Sequence, residues 1–168
     1  MPKIIENLNC RLLEEVNLQL ARGGYEAVTI RSIAKGCGVG VGTVYNYFPS
    51  KEALVAAYLL EDWTQCIETI RSAAESSDSP RPVLQCIYEQ LTGFADRHQA
   101  VFTAKAAVSG FAASLNQYHA LLRSQLAEPL IRFCAGDFPA IDQVSRLSAM
   151  NWAGKSFEEI YEVLKKVL

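Results

Sequence analysis

From Ile4 to Arg22 the residues Ile4, Ile5, Leu8, Leu12, Val16 and Leu20 recur at steps of three and four. Positions spaced this way share one face of an α-helix and no face of a β-strand. The same spacing returns along most of the chain. No segment alternates apolar and polar residues as a half-buried strand does, and no internal repeat is evident. The chain is therefore expected to be all-α, built from amphipathic helices that bury their stripes against one another.

Punctuation divides these helices. Gly23-Gly24 ends the first, because glycine accepts the left-handed conformation that helix C-termini often need. Thr29 is a good N-cap for a second helix over Ile30–Lys35, broken by Gly36-Cys37-Gly38. A third short helix, about Gly40 to Tyr47, stops at Phe48-Pro49. Ser50 then caps a long fourth helix from Lys51 toward Ala74, with Glu52 suiting the dipole of its first turn. The stretch 75–82 is polar and carries two prolines, and reads as a linker. Beyond it, helices are expected over Val83–His98, Ala100–Val108, Ala112–Phe133, Ile141–Trp152 and Ser156–Leu168. Pro129 should kink or end the third of these, and Ser156 with Glu159 should form a capping box on the last.

Composition removes several classes of function. At 168 residues the chain can bury a sizeable core in one or two small domains. Its five cysteines are scattered, with no CxxC, and His98 and His119 lie far apart, so free thiols in a reducing compartment are expected rather than a metal site or disulfide framework. The N-terminal residues form no signal-peptide core, and no apolar run reaches the ~18 residues of a membrane span, so a cytoplasmic protein with no membrane partner is expected. Paired carboxylates in an apolar setting, a nucleophile motif and a phosphate-cradling loop are all lacking. No enzymatic activity, catalytic residue or cofactor is expected.

Residues 38–51, GVGVGTVYNYFPSK, carry the chemistry. Two short helices joined by a glycine-containing turn have the spacing of a helix-turn-helix, whose second helix lies in the DNA major groove. Glycines at 40 and 42 keep side-chain bulk off the front of that helix. Thr43 offers a hydroxyl donor and a methyl group that can touch a thymine methyl. Tyr45 and Tyr47 carry hydroxyls on rigid rings, suited to phosphate oxygens. Lys51 joins an ammonium to the free amides of a helix start, a combination that binds anions. The global charge of −2 gives no field that attracts nucleic acid. Residues 1–60 hold six Lys/Arg against five Asp/Glu, so the expected bias is local and small.

Residues 25–59 resemble the DNA-binding segment of the TetR family of bacterial transcriptional repressors. Gly24-Tyr25, Thr29-Ile30, Ile33-Ala34, Gly38-Val39, Gly42-Thr43-Val44-Tyr45, Tyr47-Phe48 and Ser50-Lys51-Glu52 match in fixed order. The resemblance implies a three-helix DNA-binding domain over residues 1–48. It further implies a helical effector-binding and dimerisation domain over residues 49–168, entered by the long fourth helix. It implies a homodimer on a palindromic double-stranded DNA operator, released by a small molecule. Thr29 then resembles a phosphate contact, and Arg31 a residue that reaches phosphate or a base edge. Gly42, Thr43 and Tyr45 match the recognition face, Asn46 a phosphate or base contact, and Tyr47 and Lys51 backbone anchors. Ile33, Ala34, Val39, Val44 and Phe48 match core positions. Family members often carry serine or lysine where this chain has Gly40 and Val41, and those contacts are missing here.

The remaining two thirds carry no quotable signature. Trp63, Ile67, Cys86, Phe94, Phe102, Phe111, Tyr118 and His119 are candidates to line a pocket for a hydrophobic or aromatic effector, although such residues equally make ordinary core. The segments Leu115–Phe133 and Phe157–Leu168, with Ile141–Trp152, are candidates to pair across a dimer. The stripe Phe157, Ile160, Tyr161, Leu164, Val167 and Leu168 would seal that pairing or pack within its own subunit. Two alternatives stay open: a DNA-binding regulator that answers redox state through Cys37 or Cys66 or needs no effector, and a helical interaction module that does not bind DNA.

Overall fold

The computed structural model describes residues 7–106, 124–133 and 155–165. Every element among the described residues is helical: α1 (Leu8–Ala27), α2 (Ile30–Cys37), α3 (Val41–Tyr47), α4 (Lys51–Glu75), α5 (Pro80–Ala106), a 3₁₀ helix (Glu128–Phe133) and α6 (Phe157–Leu164). They fall into two compact units, divided within α4 between Asp62 and Trp63 and within α5 between Arg97 and His98.

In the first unit, Leu8, Leu12, Leu13 and Val16 of α1 meet Ile30, Ile33 and Ala34 of α2 and Val44 of α3. Leu54 and Val55 of α4 and Val101 of α5 complete this core. The α1 stripe is the one the spacing foretold; Ile4 and Ile5 lie outside the described residues. Gly24 has φ 66° and ψ −167°, so the helix does break there, and Tyr25–Ala27 form one further turn beyond the kink. In the second unit, Trp63, Ile67, Ile70 and Ala74 form the buried stripe of α4. They pack on Val83, Leu84 and Ile87 of α5 and on Leu126, Leu130 and Ile160. Full burial of each Leu or Ile contributes roughly 1.5–3 kcal/mol.

Three boundaries differ from the expectation. Helix α2 runs through Gly36 to Cys37, because the left-handed residue that ends it is Gly38 (φ 66°) and not the first glycine of the triplet. Helix α5 starts at Pro80, not at Val83. Proline is tolerated in a first helical turn, where its missing N–H has no intrahelical partner to lose. It then continues unbroken to Ala106, since nothing between His98 and Ala100 interrupts the backbone ladder. Pro129 acts as expected, with residues 124–127 α-helical and 3₁₀ geometry from Glu128. The breaks and helices expected over 107–123 and 134–154 lie outside the described residues.

The capping box on α6 is present. The Ser156 N–H donates to Glu159 Oε2 at 2.7 Å, and the Glu159 N–H donates to Ser156 Oγ at 3.4 Å. The N–H and the hydroxyl of Ser156, both donating to Glu159 Oε2, hold that carboxyl below the usual carboxylate range. Phe157 and Tyr161 pack against the second core, which also buries Ile160. The Arg81 guanidinium sits 4.3 Å from the centre of the Tyr161 ring. This part of the stripe is therefore engaged within its own chain. Val167 and Leu168 lie outside the described residues.

Candidate DNA-binding interface

The turn between α2 and α3 is set by backbone geometry. The Val39 N–H donates to Ala34 O at 2.9 Å and the Gly38 N–H to Lys35 O at 3.2 Å. This paired pattern closes a helix through a left-handed residue. A side chain at Gly38 would be strained by its positive φ. Val39 is half-buried against the core. Gly40 then serves as the N-cap of α3 without a side-chain bond, its carbonyl accepting from the Thr43 N–H at 2.9 Å.

Helix α3 is held by one edge. Val44 and Phe48 are buried. Around a helix turning 100° per residue, Gly42 and Asn46 lie opposite Val44, with Thr43 and Tyr45 on the two flanks. Gly42, Tyr45, Asn46 and Tyr47 are all exposed, and Thr43 is half-buried. A Cβ placed on Gly42 would meet nothing within 4 Å. The front of α3 thus has bare backbone at Gly42 and the Asn46 amide one turn on, flanked by hydroxyl-bearing side chains.

Helix α2 is locked beneath it. Thr29 Oγ1 accepts from the Ser32 N–H at 3.0 Å, and Ser32 Oγ accepts from the Thr29 N–H at 3.0 Å. The Thr29 hydroxyl, expected at a phosphate, already caps its own helix. Ser32 Oγ also lies 2.6 Å from Gln19 Oε1, which ties the cap to α1. At the other end, Arg11 Nη2 donates to Cys37 O at 2.7 Å, and Cys37 Sγ donates to Arg11 O at 3.3 Å. A Cβ on Gly36 would lie 2.3 Å from the Glu15 carboxylate, so a larger residue there would make that flexible side chain swing aside. Arg31 is exposed on α2.

Lys51 opens α4 immediately after the Ser50 cap, whose Oγ accepts from the Ala53 N–H at 3.1 Å. Its Nζ stands 3.8 Å from the centre of the Tyr25 ring. The Tyr25 hydroxyl donates to Glu52 Oε1 at 3.3 Å. Burial, and after it the Glu52 carboxylate, push the Tyr25 phenol up to about 12. Tyr25 is half-buried against the first core, and its ring also carries the lysine. Sequence reading missed this arrangement, the Arg11 clasp, and a further pair. His98 is fully buried and lies 2.6 Å from Asp62 Oδ2, edge-on to Tyr58. Each of these joins residues far apart in the chain, and spacing says nothing about such contacts.

Residues 18–58 match the model of the bacterial regulatory proteins of the tetR family. The helix-turn-helix is that of the TetR family. The HTH-type transcriptional repressor KstR of Rhodococcus jostii is 36% identical over 84 residues, which span 49% of this chain and 38% of that protein. This chain therefore covers well under half of that relative. SCO7518 of Streptomyces coelicolor A3(2) shares the fold over 96% of this chain and 98% of its own, at a TM-score of 0.65 and 14% identity. A Saccharomonospora viridis protein solved in complex with choline aligns over 96% of this chain and 95% of its own, at a TM-score of 0.60 and 19% identity. The TetR-family helix-turn-helix thus sits in a fold shared along nearly the whole chain.

The expected effector residues separate. Trp63 and Ile67 are buried in the second core, with Cys86 and Phe94 packed against it. Trp63 meets Phe94 edge-on at 5.4 Å and donates through Nε1 to Gln125 Oε1 at 2.8 Å. Phe102 belongs to the first unit. Phe111, Tyr118 and His119 lie outside the described residues. A groove of 380 Å³ in the second unit is lined by Arg71, Glu75, Glu128 and Arg132 among others, and by none of the expected effector residues. Cys37 is buried, and burial followed by the Glu15 charge pushes its thiol up, away from the reactive thiolate. Among the described residues, no helix is long and apolar enough to cross a membrane.

Proposed function

We propose that this protein is a transcriptional regulator that binds a palindromic operator as a homodimer, represses from it, and is released by a small hydrophobic or aromatic effector. The observation that carries this reading is the outer face of α3. Gly42 and Asn46 face outward between Thr43 and Tyr45, while Val44 and Phe48 anchor the helix. A helix held by one edge, with bare backbone at Gly42 in front, can lie close against base edges in a major groove.

In this reading Thr43 and Asn46 contact bases, Tyr45 and Tyr47 bond phosphate oxygens, and Arg31 reaches phosphate or a base edge. Lys51 and the α2 start at Thr29 hold the backbone. Residues 1–48, extended by the first part of α4, form the DNA-binding part. Residues 49–168 supply effector binding and dimerisation, with Trp63, Ile67, Cys86 and Phe94 grouped where an apolar ligand would enter. The repressor named among the relatives and the choline-bound structural neighbour support repression and small-molecule binding respectively. The regulator would act where the chromosome is, in the cytoplasm.

The test is selection of bound duplexes from a random DNA pool at moderate salt. Enrichment of a palindrome is the expected result, and that duplex becomes the probe for effectors that abolish binding. A folded, dimeric protein that enriches no sequence would refute the reading.

A further inference from the structure

In the second unit a cation is already bound to an aromatic surface, and the cation is the chain's own. The Arg81 guanidinium stands 4.3 Å from the centre of the Tyr161 ring and 5.4 Å from that of Phe157. Its Nη2 donates to Glu158 Oε1. Ring faces attract cations, and a carboxylate matches the paired donors of a guanidinium.

Receptor and occupant are held with unequal firmness. Phe157 and Tyr161 stack at 5.6 Å with their planes 26° apart, and Tyr88 meets Phe157 at 5.9 Å. All three rings pack against the second core. The Tyr88 hydroxyl donates to Lys155 O at 2.8 Å, and the Ser156–Glu159 box fixes the start of α6. Arg81 has no such support. It lies in the first turn of α5, directly after the polar linker, where its N–H has no intrahelical acceptor. Its side chain is 47% accessible. Keeping a long, exposed arginine in one geometry costs rotamer freedom, which offsets most of what such a contact contributes. A fixed aromatic and acidic surface thus holds a weakly retained guanidinium. None of these residues belongs to the expected effector set or to the DNA-binding set.

We propose that the Phe157–Tyr161 face with Glu158 is a binding site for small guanidinium compounds, and that Arg81 is its built-in competitor. Binding there requires no DNA, and an entering guanidinium releases Arg81 from α6.

The experiment measures binding of ethylguanidinium to the full chain by calorimetry, with ethylurea as a neutral analogue of the same planar shape. The native protein is compared with Arg81→Gln and with Arg81→Gln combined with Glu158→Gln. Both side chains are exposed, so the fold should persist, and circular dichroism checks this. Arg81→Gln should bind ethylguanidinium about tenfold more tightly than the native chain, because an exposed cation over two rings and an ion pair no longer compete. Adding Glu158→Gln should remove most of that gain, and ethylurea should bind to none of the three. The proposal is overturned if Arg81→Gln gains no affinity, if ethylurea binds as tightly, or if the gain survives Glu158→Gln. If Arg81→Gln does not fold, the native chain decides. Saturating its aromatic protons should then transfer signal to ethylguanidinium and not to ethylurea, and equal transfer to both, or none to either, would overturn the proposal.

Discussion

Gly42→Ala should make the protein more stable and a poorer DNA binder. Gly42 lies within α3, and a Cβ there meets nothing within 4 Å, so no repacking opposes the added methyl group. Replacing glycine by alanine inside a helix stabilises by roughly 0.5–1 kcal/mol, because the unfolded chain loses freedom. The site is in the first turn, so the lower figure applies. With a urea m-value of about 1.5 kcal/mol/M, the unfolding midpoint should rise by about 0.3 M. On the DNA side the new methyl group stands between the α3 backbone and the groove. A loss of at least about tenfold in operator affinity is expected, or about 1.4 kcal/mol. Urea titration and duplex titration of the same preparation separate the two effects. A lowered midpoint would show that the fold itself needs this glycine. A raised midpoint with unchanged affinity would show that DNA does not approach α3 at this point, and the close-approach reasoning would fail.

Other consequences follow from single contacts. The Tyr25 ring under Lys51 contributes about 0.5–1 kcal/mol to placing the ammonium. In a double-mutant cycle on operator affinity, Tyr25→Leu and Lys51→Ala should therefore be less than additive, while Tyr25→Phe keeps the native value. The Tyr25 phenol holds its proton to about 12 in the folded protein against 10.0 in the unfolded chain. The folded state thus binds more protons between those values. Its stability contribution is full below pH 10 and is lost as pH rises toward 12, a decline that Tyr25→Phe should lessen in denaturation curves across that window. Asp62→Ala deprives the buried His98 ring of its carboxylate partner. It should cost about 1.5–3 kcal/mol by urea denaturation, and a cost near zero would mean that solvent replaces the carboxylate.

Local order determined much of this protein. The helical spacing from Leu8 to Leu20, the Thr29 and Ser50 caps, the break before α3 and the Ser156–Glu159 box all act within a few residues, so the chain displays them directly. The outward set on α3 was legible for the same reason, since one buried position, Val44, fixes the directions of its neighbours on a short helix. Contacts between distant residues were not legible. Tyr25 reaches Lys51 and Glu52 across α2 and α3, Arg11 reaches Cys37, and Asp62 reaches His98, 36 residues away. Each depends on which helix faces pack together, and apolar burial specifies that packing only once all the helices are present. The start of α5 at Pro80 is a similar case. A proline signals an interruption to local reading, and it takes packing of Val83, Leu84 and Ile87 against α4 to place both prolines in a first turn. Among the described residues, sequence alone thus determined the first four helices, the cap of the last, and which residues of the short α3 face outward. Tertiary structure decided which side chains hold that helix and its lysine in place, because those bonds join groups that only packing brings within reach.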